Sequence, residues 1–260
     1  MANTKAVLLV GGLGTRLRSV LPSTPKPMAK VGKRPFLQLL IHQLRTQGIR
    51  RLVLSTGYLA DEIANDFGDG SSFGVSIEYS KEDSPLGTAG AIKHAAPFLH
   101  GLDHFFVANG DSFMQADFRQ LLEVHCQAGV LLTLAVTRVR NQGRYGTVST
   151  LENGLVSAFL EKTVSQELGL INTGIYVFDH QLLSMIPDGP SSLEKDVFPA
   201  LLPRGVRAVE QSGLFIDIGI PEDYARAQEM VDVLYRAASD ARDRDKGNTP
   251  LENRPAIRAD

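Results

Sequence analysis

A short apolar run, Ala6-Val7-Leu8-Leu9-Val10, empties into Gly11-Gly12-Leu13-Gly14-Thr15-Arg16-Leu17. A strand that ends in glycines can lay bare backbone N–H groups against a phosphate, because no Cβ holds the anion away. Arg16, and Lys26 within Pro25-Lys26-Pro27, bring fixed positive charge to the same anion. Two familiar nucleotide loops are excluded. The dinucleotide fingerprint G-x-G-x-x-G needs a third glycine where Leu17 stands, and the P-loop needs Lys-Ser/Thr directly after its glycines, whereas the next lysine here is Lys26.

The rest of the chain bounds what this loop can serve. With 260 residues, 43% of them apolar, it can bury a full core as one large domain. A net charge of −2 without a Lys/Arg cluster argues against a nucleic-acid partner. Cys126 is the single cysteine, so neither an intrachain disulfide nor a cysteine-based zinc site can form. The longest apolar run, 130–136, falls far short of a bilayer span, so no membrane partner is expected and a cytoplasmic location is the default reading.

Apolar and β-branched runs at 5–10, 51–56, 75–79, 104–108 and 130–137 alternate with helical patterns at 35–47, 59–67, 87–96 and 118–128. This alternation predicts an α/β fold: a Rossmann-like, mostly parallel sheet flanked by helices on both faces. Ligands of such sheets lie beyond the carboxyl ends of the strands, which groups the loops at 11–26, 81–88 and 109–112 around one crevice. From 143 to 178 the pattern changes to short strands at 145–150, 155–161 and 171–178, a smaller β-rich subregion within the same domain. Helices are expected again at 192–202 and 221–238. The charged, apolar-poor stretch 240–260 reads as a disordered tail, leaving 1–239 as one domain.

Asn109-Gly110-Asp111 follows the buried-looking strand Phe105-Phe106-Val107-Ala108, which points a carboxylate into the crevice. Taken alone, that aspartate serves equally well as a helix cap or turn residue. A second aspartate, Asp217, lies inside the apolar stretch Phe215-Ile216-Asp217-Ile218-Gly219-Ile220-Pro221. An unpaired charge there costs several kcal/mol, on the order of the burial penalty for an ion, so it calls for a cation. Magnesium suits two hard carboxylates shared with triphosphate oxygens. His42, His94, His100, His104, His125 and His180 show no paired spacing with carboxylates and read as structural or solvated.

Together, the glycine loop with Arg16, Pro25-Lys26-Pro27, Pro85-Leu86-Gly87-Thr88-Ala89-Gly90-Ala91, Gly110-Asp111 and Asp217-Ile218-Gly219-Ile220-Pro221-Glu222-Asp223 resemble the signature of the sugar-1-phosphate nucleotidyltransferases, over about residues 5–235. Within that family the chain looks most like the guanylyltransferases that act on D-glycero-α-D-manno-heptose 1-phosphate for surface polysaccharide. The resemblance implies the nucleotide-diphospho-sugar transferase fold and a magnesium-dependent transfer of GMP from GTP to a sugar 1-phosphate, releasing pyrophosphate. Mannose-1-phosphate guanylyltransferase, glucose-1-phosphate thymidylyltransferase and a non-catalytic regulatory relative remain alternatives, and self-association into a homo-oligomer stays open.

Carried over residue by residue, the resemblance places Leu9, Gly11, Gly12, Gly14, Thr15, Arg16, Glu82, Pro85, Gly87, Thr88, Asn109 and Gly110 around the nucleotide. It assigns the sugar phosphate to Gly146, Glu161, Lys162, Asn172, Thr173 and Gly174, and the metal to Asp111 and Asp217. Arg16, Lys26, Asp111, Lys162 and Asp217 then form the catalytic set. Glu82 carries the base preference: an ionised carboxylate only accepts hydrogen bonds, and guanine offers two adjacent donors where thymine and uracil offer one. Thymidylyltransferases have glutamine at this place. The family often has Trp shortly before the second aspartate, where this chain has Leu214 or Phe215, and usually alanine where Val10 stands.

Overall fold

The computed structural model describes residues 4–12, 17, 20–21, 24–57, 59–140, 145–160 and 168–239. Its centre is a nine-stranded sheet. Lys5–Leu9 runs parallel between His104–Asn109 and Arg51–Thr56, and Ser76–Lys81 extends the parallel side beyond Arg51–Thr56. On the other side Gly169–Asp179 runs antiparallel to both His104–Asn109 and Leu132–Val139. The β-rich stretch expected at 143–178 is continuous with this sheet, since Thr147–Thr150 pairs with Val156–Leu160 and touches Gly169–Asp179 through Ile171.

Helices cover both faces because the strands are apolar on both. Ala6, Leu8 and Val10 face one core with Leu37, Ile63 and Leu121 from the helices Phe36–Thr46, Ala60–Phe67 and Phe118–Ala128. Val7, alternating with them, faces the other core with Ile92 of the Gly87–His94 helix, Leu182 and Phe198. That alternation is the period-two geometry of a strand buried on each side. A third cluster seats the C-terminal helices against Phe36, Leu39, Phe113 and Ile216. No helix of the described residues is long and apolar enough to cross a membrane.

Local signals explain the boundaries. The Phe118–Ala128 helix opens with Asp117 accepting from Gln120 N–H at 2.9 Å and closes at Gly129, whose φ of 60° suits a left-handed cap. The expected helix at 192–202 is instead a π turn, Leu193–Val197, running into a short α turn, Phe198–Leu201. Pro199 has no N–H to give a carbonyl four residues back, so a regular helix cannot run through it. The expected helix at 221–238 is divided at Met230 into Pro221–Glu229 and Val231–Ser239. The sequence reading missed the strand Val206–Glu210, which pairs with Leu132–Val139, and the pair formed by Ser112–Met114 and Phe215–Asp217.

Candidate active site

Strand register gathers the crevice. Leu9 lies beside Asn109 on one flank and Ser55 on the other, and Thr56 lies beside Lys81. The loops after these parallel strands therefore leave the sheet at one edge, as doubly wound sheets require of a binding site. There a cavity of about 480 Å3 is lined by Leu9, Gly11, Gly12, Lys26, Pro27, Ser55, Glu82, Pro85, Gly87, Thr88, Ala91, Asn109 and Asp111. The described members of the expected nucleotide set are thus brought together. Gly110 sits behind the wall, its N–H donating to Leu9 O at 2.9 Å. Gly14, Thr15, Arg16, Glu161 and Lys162 lie outside the described residues.

The glycines are there because backbones touch. A Cβ on Gly11 would stand 2.9 Å from Gly57 N, and one on Gly110 would stand 2.7 Å from Leu9 O. Gly87 has φ +70° and would place a Cβ 2.5 Å from Ser191 O, so any other residue there is both strained and blocked. Ser191 O accepts the N–H of Ala89, and Thr88 Oγ1 accepts from Leu193 N at 2.8 Å and donates to Glu194 at 3.1 Å. The cavity wall is thereby tied to the 191–194 segment, a support the sequence did not announce.

Glu82 is held in place rather than free in solvent. Ser55 Oγ donates to its Oε1 at 3.1 Å and Leu86 N–H donates to its Oε2 at 3.0 Å. Two oxygens offer about four acceptor sites, so each retains capacity for a ligand donor. Ser55 is a site residue that sequence reasoning passed over. Ser55-Thr56-Gly57-Tyr58 is among the cues of the resemblance, but nothing in it marks the Ser55 hydroxyl as the one that meets Glu82.

The two aspartates meet because two short strands pair. Ser112–Met114 runs antiparallel to Phe215–Asp217 with Asp217 opposite Ser112, and Ile218 N–H donates to Asp111 O at 2.9 Å. Lys26 Nζ donates to Asp111 Oδ2 at 3.0 Å. Asp217 Oδ1 accepts from Gly219 N–H at 2.6 Å. Burial, then the nearby Asp111 carboxylate, push the Asp217 carboxyl up to about 6, against the pull of the Gly219 N–H and Lys26. A buried carboxyl with a second carboxylate close by makes a donor set suited to a hard divalent cation. The residues present therefore fit a hard divalent cation such as magnesium, which Asp111 and Asp217 would hold.

The expected sugar-phosphate positions adjoin this centre. Asn172 N–H donates to Gly146 O at 3.1 Å, and Asn172 Oδ1 accepts from Gly174 N–H at 3.0 Å. Gly174, at φ +80°, leaves 2.6 Å between its would-be Cβ and Asn109 Nδ2, so it abuts the nucleotide cavity. The Tyr145 ring meets Phe215 edge-on with centroids 5.4 Å apart, beside the aspartate pair. The Thr173 side chain is not brought to the crevice: its buried hydroxyl donates to Ala135 O at 2.9 Å. Alternation along the strand turns it inward between Asn172 and Gly174.

Known proteins are similar to this chain in sequence and in fold. A family model described as nucleotidyl transferase matches residues 5–232. The mannose-1-phosphate guanylyltransferase of Mycobacterium tuberculosis is 41% identical over 225 residues, covering 85% of this chain and 62% of that protein. The chain thus spans about three-fifths of the length of the mannose-1-phosphate relatives it matches. The D-glycero-α-D-manno-heptose 1-phosphate guanylyltransferase of Aneurinibacillus thermoaerophilus is 39% identical over 227 residues, covering 86% of this chain and 97% of that one. Crystal structures of HddC from Yersinia pseudotuberculosis, one of them complexed with GMP-PN, superpose with a TM-score of 0.80 at 34% identity, covering 88% of this chain and 99% of theirs. By sequence along 5–232 and by fold, the chain belongs to the nucleotidyl transferase family.

Proposed function

We propose that this protein transfers GMP from GTP to a sugar 1-phosphate, D-glycero-α-D-manno-heptose 1-phosphate in first place, giving GDP-heptose and pyrophosphate. The observation that carries the reading is the pairing of Ser112–Met114 with Phe215–Asp217, which sets Asp111 and Asp217 beside Lys26 at the lip of a cavity walled by Gly11, Gly12 and Glu82. Likeness to the guanylyltransferase of Aneurinibacillus thermoaerophilus and to HddC with GMP-PN supports the guanine nucleotide and the heptose acceptor. Mannose 1-phosphate is the second reading, favoured by the 41% identity to the Mycobacterium tuberculosis protein.

The chemistry asks for positioning rather than proton transfer. A sugar phosphate, with a second pKa of about 6, is largely dianionic at neutral pH and needs no general base. The difficulty is bringing two polyanions into line, which calls for charge neutralisation and orientation. Magnesium bound by Asp111 and Asp217 would supply charge neutralisation at the triphosphate oxygens. Gly11 and Gly12 offer backbone at close range, and Lys26 places its ammonium beside the aspartates for the α-phosphate region. Arg16 would hold the departing pyrophosphate and Lys162 the incoming phosphate. Gly146, Glu161, Asn172, the backbone of Thr173 and Gly174 would orient the sugar.

Glu82 would accept from guanine N1–H and the exocyclic amine, its orientation held by Ser55 and Leu86. We further propose one catalytic domain through residue 239 and, because GTP is the donor, action in the cytoplasm. Pyrophosphate release by the purified protein with GTP, magnesium and heptose 1-phosphate tests the reading, and its absence with every sugar phosphate offered would leave the non-catalytic alternative.

A further inference from the structure

His104, His125 and Asp179 are far apart in sequence and meet at the end of the sheet opposite the nucleotide cavity. Asp179 stands beside His104 in the antiparallel register, and His104 is five residues upstream of Asn109, about 17 Å along an extended strand. His125 reaches in from the Phe118–Ala128 helix, its ring edge-on to His104 with centroids 4.9 Å apart. One ligand atom from each of the three residues lies within 4.8 Å of the others.

The hydrogen bonding of the cluster is incomplete in a specific way. His125 is 1% exposed, and its Nε2 is buried without a hydrogen-bond partner. His104 Nδ1 is also buried without one, since Asp179 Oδ2 lies 3.8 Å away, too far for a hydrogen bond. The other ring nitrogen of His125 and the other oxygen of Asp179 are partnered. His125 Nδ1 meets Thr133 Oγ1 at 2.9 Å, and Asp179 Oδ1 accepts from Gln181 N–H at 2.8 Å. In the tautomer whose Nδ1–H donates to Thr133 Oγ1, the free electron pair of His125 sits on Nε2, the arrangement that fixes metal-binding imidazoles from behind. Burial, then His104, hold the His125 pKa down to about 4, so the ring is neutral at physiological pH.

We propose that His104 Nδ1, His125 Nε2 and Asp179 Oδ2 form a second metal site, taking a zinc-class divalent transition-metal ion with water as the fourth ligand. Two imidazoles and one carboxylate are a donor set for zinc and its neighbours, whereas magnesium prefers oxygen alone. A tetrahedron with bonds of about 2.1 Å sets its ligand atoms about 3.4 Å apart, so the three groups need to close by an ångström or so. The His104 and Asp179 side chains are 28% and 22% exposed, which gives the ion a path in and the water a place. The site ties the helix carrying His125 to two strands, so its role is to fasten that end of the sheet, not to take part in transfer.

Titration of the metal-free full chain with Zn2+ against a chromophoric chelator, in excess Mg2+, tests this. Wild type is expected to bind one Zn2+ tightly and to gain several degrees in Tm. His104→Gln and Asp179→Asn should each weaken binding at least tenfold and lose the Tm gain, while Asp217→Asn keeps both. The amide oxygen introduced by Asp179→Asn can still accept from Gln181 N–H, so that variant preserves the turn. Cobalt in place of zinc should give the intense visible bands of a tetrahedral site. Absence of tight Zn2+ binding in wild type would overturn the proposal whatever the variants do, and so would binding undiminished in both.

Discussion

Lys26 Nζ and Asp111 Oδ2 form an ion pair of 3.0 Å, with the two side chains 17% and 31% exposed. The ammonium stands on the carboxylate that the proposed magnesium would use, and it also offsets the charge of Asp217. Lys26→Met removes this ammonium while keeping the stem. The expected result is a loss of about 100- to 1000-fold in kcat/KM, the usual scale for deleting one charge-stabilising donor, with the fold intact. Steady-state pyrophosphate release and a thermal melt measure the two effects. Loss of less than tenfold would remove Lys26 from the transition state.

Asp217 sets function against stability. Its carboxyl titrates near 6 in the folded protein against 3.8 ordinarily, so the folded state binds this proton more tightly than the unfolded chain does. The cost of ionising it is therefore absent below about pH 3.8, grows through the window and is complete above about pH 6. Asp217→Asn keeps an acceptor for Gly219 N–H and is expected to stabilise the metal-free protein by roughly 1–3 kcal/mol at pH 7.5, while abolishing turnover. The gain should vanish near pH 4. Urea unfolding of both proteins across this range checks the sign, and added magnesium should stabilise only the wild type.

Gly87→Ala probes the cavity wall. Its φ of +70° and the 2.5 Å from an added Cβ to Ser191 O leave no room for a methyl group without moving the backbone. Destabilisation of about 2 kcal/mol or more is expected, with a raised KM for the nucleotide because the wall carries Thr88 and Pro85. Differential scanning calorimetry and initial rates measure both effects, and an unchanged Tm would show that the 191–194 segment yields.

Glu82→Gln tests the base preference. Exchanging an acceptor-only group for one that also donates should lower selectivity for GTP over dTTP by roughly 1.5–3 kcal/mol, on the order of one charged hydrogen-bond pair. Leu86 N–H can still donate to the amide oxygen and Ser55 Oγ can accept from the new amide N–H, so little change in Tm is expected. Competition between the two triphosphates gives the ratio directly. Unchanged preference would assign base reading to backbone groups of the loop.

Much of the nucleotide side was legible because it is built from consecutive residues at strand ends: the glycines after Leu9, the loop after Lys81 and Asn109-Gly110-Asp111 each announce themselves locally. Asp217 was legible through its apolar setting. What joins it to Asp111 was not, because Phe215–Asp217 and Ser112–Met114 are three-residue strands with no periodicity to detect. The inward turn of the Thr173 side chain was not legible either, since a tripeptide motif does not say which of its members faces the core. The cluster of His104, His125 and Asp179 escaped for the same reason as Ser55: its members come together through tertiary packing, and no spacing in the chain records the meeting.

The central claim is tested most directly by a matrix of nucleoside triphosphates against sugar 1-phosphates with magnesium, read as sugar-nucleotide formed. GTP with D-glycero-α-D-manno-heptose 1-phosphate is expected to give the highest kcat/KM, with mannose 1-phosphate next and dTTP and UTP weak with either acceptor. A preference for dTTP or UTP, or no sugar nucleotide from any pair, would contradict the account.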